Sequence, residues 1–140
     1  MNGGSAFRRE KLIRFHYCDP AGIVFYPQYF VLFHELVEDW FNYGLGLDYA
    51  EFVAKRRLGL PMVRVECDFL SPSKIGDTLE LGLVVERIGR SSLTLRVEAS
   101  VGGAPRARAQ LTVVLAAVDG LRAVPFPPEL RERIESYLVP

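Results

Sequence analysis

The stretch His16-Tyr17-Cys18-Asp19-Pro20-Ala21-Gly22-Ile23-Val24-Phe25-Tyr26-Pro27-Gln28-Tyr29-Phe30 carries the chain from a strand through a loop into a helix, and that passage decides the architecture. Leu12 to Tyr17 alternates, with Ile13, Phe15 and Tyr17 on one face and Leu12, Arg14 and His16 on the other, the period of a half-buried strand. Cys18 to Gly22 is loop chemistry. Proline ends ladder pairing, aspartate favours turns, and glycine permits backbone angles closed to other residues. Pro27 suits the first turn of a helix, where its missing N–H has no partner to lose. A helix from Pro27 to about Tyr43, stopping at Gly44, places Tyr29, Phe30, Phe33, Leu36, Val37, Trp40 and Phe41 on one broad face and Gln28, Glu35, Asp39 and Asn42 opposite. Such an aromatic stripe is core packing, and it requires a large apolar surface to lie against.

The downstream sequence supplies that surface. After a short helix from Asp48 to about Arg57, Met62 to Phe69, Thr78 to Arg87, Ser92 to Val101 and Ala107 to Val118 read as strands. Ser71-Pro72, Gly76-Asp77, Gly89 and Gly102-Gly103-Ala104-Pro105 separate them as turns. A final amphipathic helix is expected from Pro128 to Leu138. The order implies an α+β fold, an antiparallel five-stranded sheet wrapped around one long central helix. The 140 residues suit a single domain spanning 1–140, with 1–9 as a flexible, Gly-rich N-terminus. Two exposed sheet edges invite pairing between subunits.

Composition narrows the function. The chain has 17 basic and 17 acidic residues, so no net field draws it to nucleic acid or to an anionic membrane surface. Its longest nearly continuous apolar run, Leu111 to Val118, is far below the roughly 20 residues of a spanning helix. A cytoplasmic protein with no membrane and no nucleic-acid partner is expected. Cys18 and Cys67 have neither disulfide-framework nor metal-ligand spacing and read as free thiols, so no metal is expected.

From spacing alone Asp19 is an ordinary turn residue before proline. The quoted segment, however, resembles the signature of the 4-hydroxybenzoyl-CoA thioesterase family of hot-dog proteins, in which an aspartate before Pro-Ala-Gly-Ile-Val opens the loop into the central helix. Gly59-Leu60-Pro61 ahead of the second long strand and the Gly89-Arg90-Ser91-Ser92 turn extend the resemblance. It implies a hot-dog fold and hydrolysis of an acyl-CoA thioester, with the coenzyme A ester as substrate and no separate cofactor. It further implies a homodimer assembling into a homotetramer. Asp19 becomes the catalytic carboxylate, either attacking the carbonyl to give a mixed anhydride or activating a water. The Tyr26 backbone N–H, at the positive end of the helix, would polarise the carbonyl and stabilise the oxyanion. Gly22 would keep the loop thin for close approach, and Phe25, His34 and Pro61 would border the acyl group.

His34 departs from the pattern: the hydroxybenzoyl-acting relatives hold an aspartate there that binds the ring hydroxyl. It either bonds a ring substituent, assists a water, or is a partly buried histidine satisfied by its neighbours. Cys18 is a weak rival nucleophile, because an adjacent carboxylate raises a thiol's pKa. From Arg87 to Arg108 five arginines, Arg87, Arg90, Arg96, Arg106 and Arg108, face one acid, Glu98. Arg87 and Arg90 with the amides and hydroxyls of Ser91 and Ser92 are the expected coenzyme A phosphate contacts, acting across a subunit interface. The motif's aromatic surroundings favour a benzoyl or hydroxybenzoyl type of acyl group. Short aliphatic acyl-CoA or acyl-carrier protein is the alternative substrate, a non-catalytic acyl-CoA-binding module the alternative of another class, and a dehydratase a third.

Overall fold

A computed structural model describes residues 6–140. In chain order the elements are β1 (Phe7–Leu12), α1 (Gln28–Asp39), α2 (Tyr49–Ala54), β2 (Leu58–Gly59), β3 (Met62–Phe69), β4 (Thr78–Ile88) and β5 (Ser92–Val101). They continue with β6 (Ala104–Val114), β7 (Ala116–Ala117), β8 (Arg122–Ala123) and α3 (Pro128–Glu135). The main sheet is antiparallel with strand order β1-β4-β5-β6-β3, and β2, β7 and β8 make a small second sheet. This is the antiparallel sheet around one long helix expected from the order of elements, and the hot-dog fold that the resemblance implies.

The sheet face turned toward α1 is built by strict alternation. Leu79, Leu81, Leu83 and Val85 of β4, Leu93, Leu95, Val97 and Ala99 of β5, and Ala107, Ala109, Leu111 and Val113 of β6 are all buried. Against them lie Leu32, Phe33, Leu36, Trp40 and Phe41, each with no exposed surface, and Tyr29 and Val37, both nearly so. Phe30, expected in this stripe, is only partly buried, and Leu32 takes its place in the core. The helix extends beyond Asp39 without a break, but Trp40–Gly44 widens into a π-type turn, with the Leu45 N–H donating to the Trp40 carbonyl at 2.7 Å.

The first strand lies upstream of its expected position. Leu12 to Tyr17 is not a strand: Phe15–Tyr17 is a single 3-10 turn, and the strand is Phe7–Leu12. Hydrophobic alternation misses it because two of its inward residues are charged. Arg9 lies 3.5 Å from Asp39, and Lys11 lies 3.4 Å from Glu35 and 3.6 Å from Asp39. Carboxylates expected on the solvent face of α1 therefore sit under β1, and the exposed stripe is Val31, His34 and Glu38. The flexible tail expected over 1–9 is overturned for Phe7, Arg8 and Arg9, which pair with β4; residues 1–5 lie outside the described residues.

Smaller shifts concern element ends. β6 begins at Ala104, with the turn confined to Gly102-Gly103, and stops at Val114 rather than Val118 because Ala116–Ala117 pairs separately with β2. Asp48 caps α2 by accepting the Glu51 N–H at 3.1 Å, and that helix ends at Ala54, short of Arg57. Likewise α3 ends at Glu135, and Tyr137–Val139 instead runs along β4, with Val139 donating to the Val85 carbonyl at 2.9 Å and Val85 donating to Tyr137 at 3.0 Å.

Gly44 closes the helix where three groups converge. A β-carbon there would stand 2.6 Å from Trp40 Cδ1 and 3.0 Å from both Phe7 Cδ1 and the Tyr137 hydroxyl. Gly44→Ala is therefore expected to destabilise the protein by about 1–3 kcal/mol, the usual cost of overpacking. Chemical denaturation of the two proteins side by side measures it, and unchanged stability would show that this junction yields freely.

Candidate active site

The loop before α1 is a miniature hairpin. Cys18 and Val24 face each other in an isolated bridge. The Asp19 N–H donates to the Ile23 carbonyl at 3.0 Å, the Phe25 N–H to Tyr17 at 3.0 Å and the Gly22 N–H to Asp19 at 2.9 Å. A second pairing joins it to the segment after β3, through Val24 to the Ser73 carbonyl at 2.9 Å and Ile75 to Gly22 at 2.9 Å. Gly22 has φ +80°, and a β-carbon there would meet only Ile75 at 3.8 Å. What demands glycine at this position is the left-handed backbone and not a lack of space.

Asp19 is partly exposed in this hairpin. Its Oδ1 accepts the Ala21 N–H at 2.9 Å, the Asx-turn bond that short acidic side chains favour. Its Oδ2 has no hydrogen-bond partner among the described residues. The turn reading of Asp19 is thus correct as far as it goes, and it accounts for one of the two oxygens.

The start of α1 leaves one amide over. Gln28, Tyr29 and Phe30 donate to the carbonyls of Phe25, Tyr26 and Pro27 at 2.8, 3.1 and 3.1 Å, a tightened first turn that consumes N–H groups usually left free at a helix start. Pro27 has no N–H. The Tyr26 N–H alone at this helix start is without an acceptor among the described residues, at the positive end of the helix dipole. Of the two amides flanking Pro27, that of Gln28 is consumed and that of Tyr26 is the one left free.

Around it stand aromatic rings. Phe25 and Tyr26 are 48% and 59% exposed, so neither is core. Phe69, at the end of β3, packs its ring 5.9 Å from Tyr26, 5.6 Å from Tyr29 and 6.2 Å from Phe30. Sequence reading did not single out Phe69, although its place in the Val65, Cys67, Phe69 alternation marks it as facing the helix. Tyr29 is anchored by a 2.7 Å bond between its hydroxyl and the buried Ser73. His34 lies exposed two turns into α1, without a hydrogen-bond partner among the described residues; the alternative of a partly buried, satisfied histidine is set aside. Cys18 has its pKa pushed up, by burial first and by Asp19 second, which disfavours a thiolate nucleophile there.

The remaining expected residues are elsewhere in the chain. Ile13 donates to Asp77 at 2.8 Å, so the hairpin sits where β4 begins. The Gly89-Arg90-Ser91-Ser92 turn follows the other end of that 11-residue strand, roughly 30 Å away at the rise of a β-strand. Pro61 is also at the far end, since its carbonyl accepts the Val114 N–H at 3.0 Å and Val114 is paired with Ser92. One chain therefore does not bring Asp19 together with Pro61, Arg87, Arg90, Ser91 and Ser92. Nor do the five arginines form one patch: Arg96 is held between Glu86 at 3.3 Å and Glu98 at 3.8 Å, and Arg106 and Arg108 lie at the Asp19 end, in β6 opposite the end of β3.

At the far turn the Gly89 N–H donates to the Ser92 carbonyl at 2.7 Å, and the carbonyls are engaged while two of the amides are not. Gly89, Arg90 and Ser91 accept from Arg131 at 2.6 Å, Phe126 at 3.0 Å and Leu115 at 2.7 Å. The N–H groups of Arg90 and Ser91 have no acceptor among the described residues, and both Arg87 and Arg90 are exposed.

Known proteins resemble this chain over nearly its whole length. The family described as the thioesterase-like superfamily matches residues 13–134. A 1,4-dihydroxy-2-naphthoyl-CoA hydrolase of Synechococcus elongatus is 29% identical over 133 residues, covering 94% of this chain and 94% of that protein. The crystal structure of a 1,4-dihydroxy-2-naphthoyl-CoA thioesterase from Synechocystis superposes with a TM-score of 0.82 at 25% identity, over 93% of this chain and 96% of that one. A gentisyl-coenzyme A thioesterase is likewise similar, with a TM-score of 0.82 and 25% identity over 89% of this chain and 99% of its own. With its fold, its hairpin and the match over nearly its whole length, the chain belongs to the thioesterase-like superfamily, as a thioester hydrolase of the hot-dog fold.

Proposed function

We propose that the protein hydrolyses an acyl-CoA whose acyl group is a hydroxylated aromatic ring, with Asp19 as the reacting carboxylate and the Tyr26 N–H as the oxyanion donor. The unpartnered Tyr26 amide beside a loop that holds Asp19 by one oxygen only carries this reading. The thioester carbonyl accepts from that amide, which strengthens its hold as negative charge develops on the oxygen. Asp19 Oδ2 either adds to the carbonyl carbon, expelling the coenzyme A thiolate and leaving a mixed anhydride that water then hydrolyses to the free acid, or takes a proton from the water that adds to the carbonyl, after which the thiolate leaves. Phe25, Tyr26 and Phe69 offer ring faces to an aromatic acyl group, and the curated relatives act on a dihydroxynaphthoyl ester. His34, exposed and unpartnered, is suited to a ring hydroxyl. Gly22 supplies the loop's turn.

The coenzyme A is read as lying against a second chain, in a homodimer that pairs again into a homotetramer. In β3, Met62 is opposite Val113 at the far end and Phe69 opposite Ala107 at the near end. A twofold axis joining two β3 edges antiparallel brings the partner's far end alongside the near end of the first chain, so that Pro61 and the amides of Arg90 and Ser91 of one copy meet the hairpin of the other. Arg87, Arg90 and Ser92 complete a phosphate cradle there. Among the described residues no helix is long and apolar enough to cross a membrane, and two free thiols suit the cytoplasm.

Asp19→Asn is expected to lower kcat on hydroxybenzoyl-type and dihydroxynaphthoyl-CoA esters by about 10²–10⁴-fold, the range of a positioned acid or base. Thiol release measures this; undiminished turnover would remove Asp19 from the reaction. His34→Ala should change the preference for hydroxylated over unsubstituted rings by about 2–10-fold, the worth of one hydrogen bond, whereas equal losses on every ester would deny it that role. Mixing Asp19→Asn with Arg90→Glu subunits should restore up to about a quarter of wild-type activity at low substrate, because half of randomly paired dimers carry one intact composite site. No recovery after exchange of subunits would place both residues' sites within one chain.

A further inference from the structure

Beneath the hairpin lies a polar contact that the reaction as read does not use. Tyr17 is 5% exposed, yet its hydroxyl donates to Glu35 Oε1 across 18 residues at 2.8 Å. The same carboxylate oxygen is 3.4 Å from Lys11 Nζ, so Glu35 ties the loop to α1 and α1 to β1 at one point. The backbone of Tyr17 is equally placed: its carbonyl holds the Phe25 N–H, the amide next to that of Tyr26, and its chain position is two residues before Asp19. The His16 ring covers it with centroids 4.0 Å apart.

We propose that Tyr17 and Glu35 are positioning residues, and that the hydrogen bond between them fixes the hairpin carrying Asp19 against the helix start carrying the Tyr26 amide. The proposal rests on the reading of Asp19 and Tyr26 given above. Burial and the adjoining carboxylate push the Tyr17 hydroxyl up to about 12, so it stays protonated, and a donor, near neutral pH. The bond matters through geometry: a carboxylate and an oxyanion donor act together only if both reach one carbonyl group, and a misplacement of about 1 Å lowers a rate by up to about 100-fold.

Tyr17→Phe removes one oxygen and keeps the ring. We expect kcat to fall about 10–100-fold with KM changed less than about 3-fold, the pattern of a lost transition-state interaction. Glu35→Ala should give the same loss, and the double variant no more than either alone. Glu35→Gln retains an oxygen that accepts from Tyr17 and should recover kcat to within about 3-fold of wild type. Retention of full kcat by Tyr17→Phe, or equal losses in Glu35→Gln and Glu35→Ala, would overturn the proposal, the latter because charge and not the hydrogen bond would then be what counts. Should Tyr17→Phe fail to fold, the difference in kcat between Glu35→Gln and Glu35→Ala decides by itself. Asp19→Asn separates the two levels: an active Asp19→Asn overturns the site itself, while an inactive one with a fully active Tyr17→Phe overturns only the positioning pair.

Discussion

Burial of one face of α1 is the constraint on which everything else in the molecule depends. Leu32, Phe33, Leu36, Trp40 and Phe41 surrender all their surface to the core, and five such side chains contribute about 1.5–3 kcal/mol each when fully buried. A helix held that firmly cannot rotate or slide, since any rotation would exchange buried aromatic rings for Val31, His34 and Glu38. Its first turn is therefore a fixed point. The Tyr26 amide inherits that fixity from core packing and needs no further device to aim it.

The hairpin has a different kind of support. Its own hydrogen bonds give it shape, but its attachment depends on a few specific contacts: Val24 and Ile75 on one side, Tyr17 with Glu35 on the other. Asp19 serves two ends at once here. One oxygen closes the turn that lets the loop exist, and the other, in the function proposed above, is the one that reacts. Losing the side chain would disturb both, which is why the asparagine variant, able to keep the Asx-turn acceptor, is the informative replacement.

The parts legible in the sequence are those written as a period or a motif. The aromatic stripe of α1 and the strands beginning at Met62, Thr78 and Ser92 follow from simple periodicity, and the Asp19 to Tyr26 segment from its turn chemistry and its family signature. β1 escaped because its inner face carries Arg9 and Lys11, whose partners Glu35 and Asp39 look like solvent-facing residues until the sheet is folded over them. The arginines from Arg87 to Arg108 misled for the opposite reason. Neighbours along two long strands share a stretch of sequence but end about 30 Å apart, and Arg96 has its own carboxylate partners. A hydrogen bond such as Tyr17 to Glu35 leaves no periodic trace, and neither does the free Tyr26 amide, which depends on how tightly the first helical turn closes.

The run of Tyr137–Val139 along β4 has a consequence for solubility. β1 spans only six residues and covers β4 as far as Leu83; beyond it the tail occupies the backbone groups of Val85. That margin of the sheet is further guarded by Arg8, Arg9, Glu10 and Lys11 in succession, charges that would have to be crowded against any strand laid beside them. The margin formed by β3 is longer and carries Val63 and Val65 in alternation with Arg64 and Glu66. Head-to-tail stacking, in which one copy's β3 docks on the next copy's β1, is thereby discouraged, and with it the open-ended ribbons from which fibrillar aggregates grow.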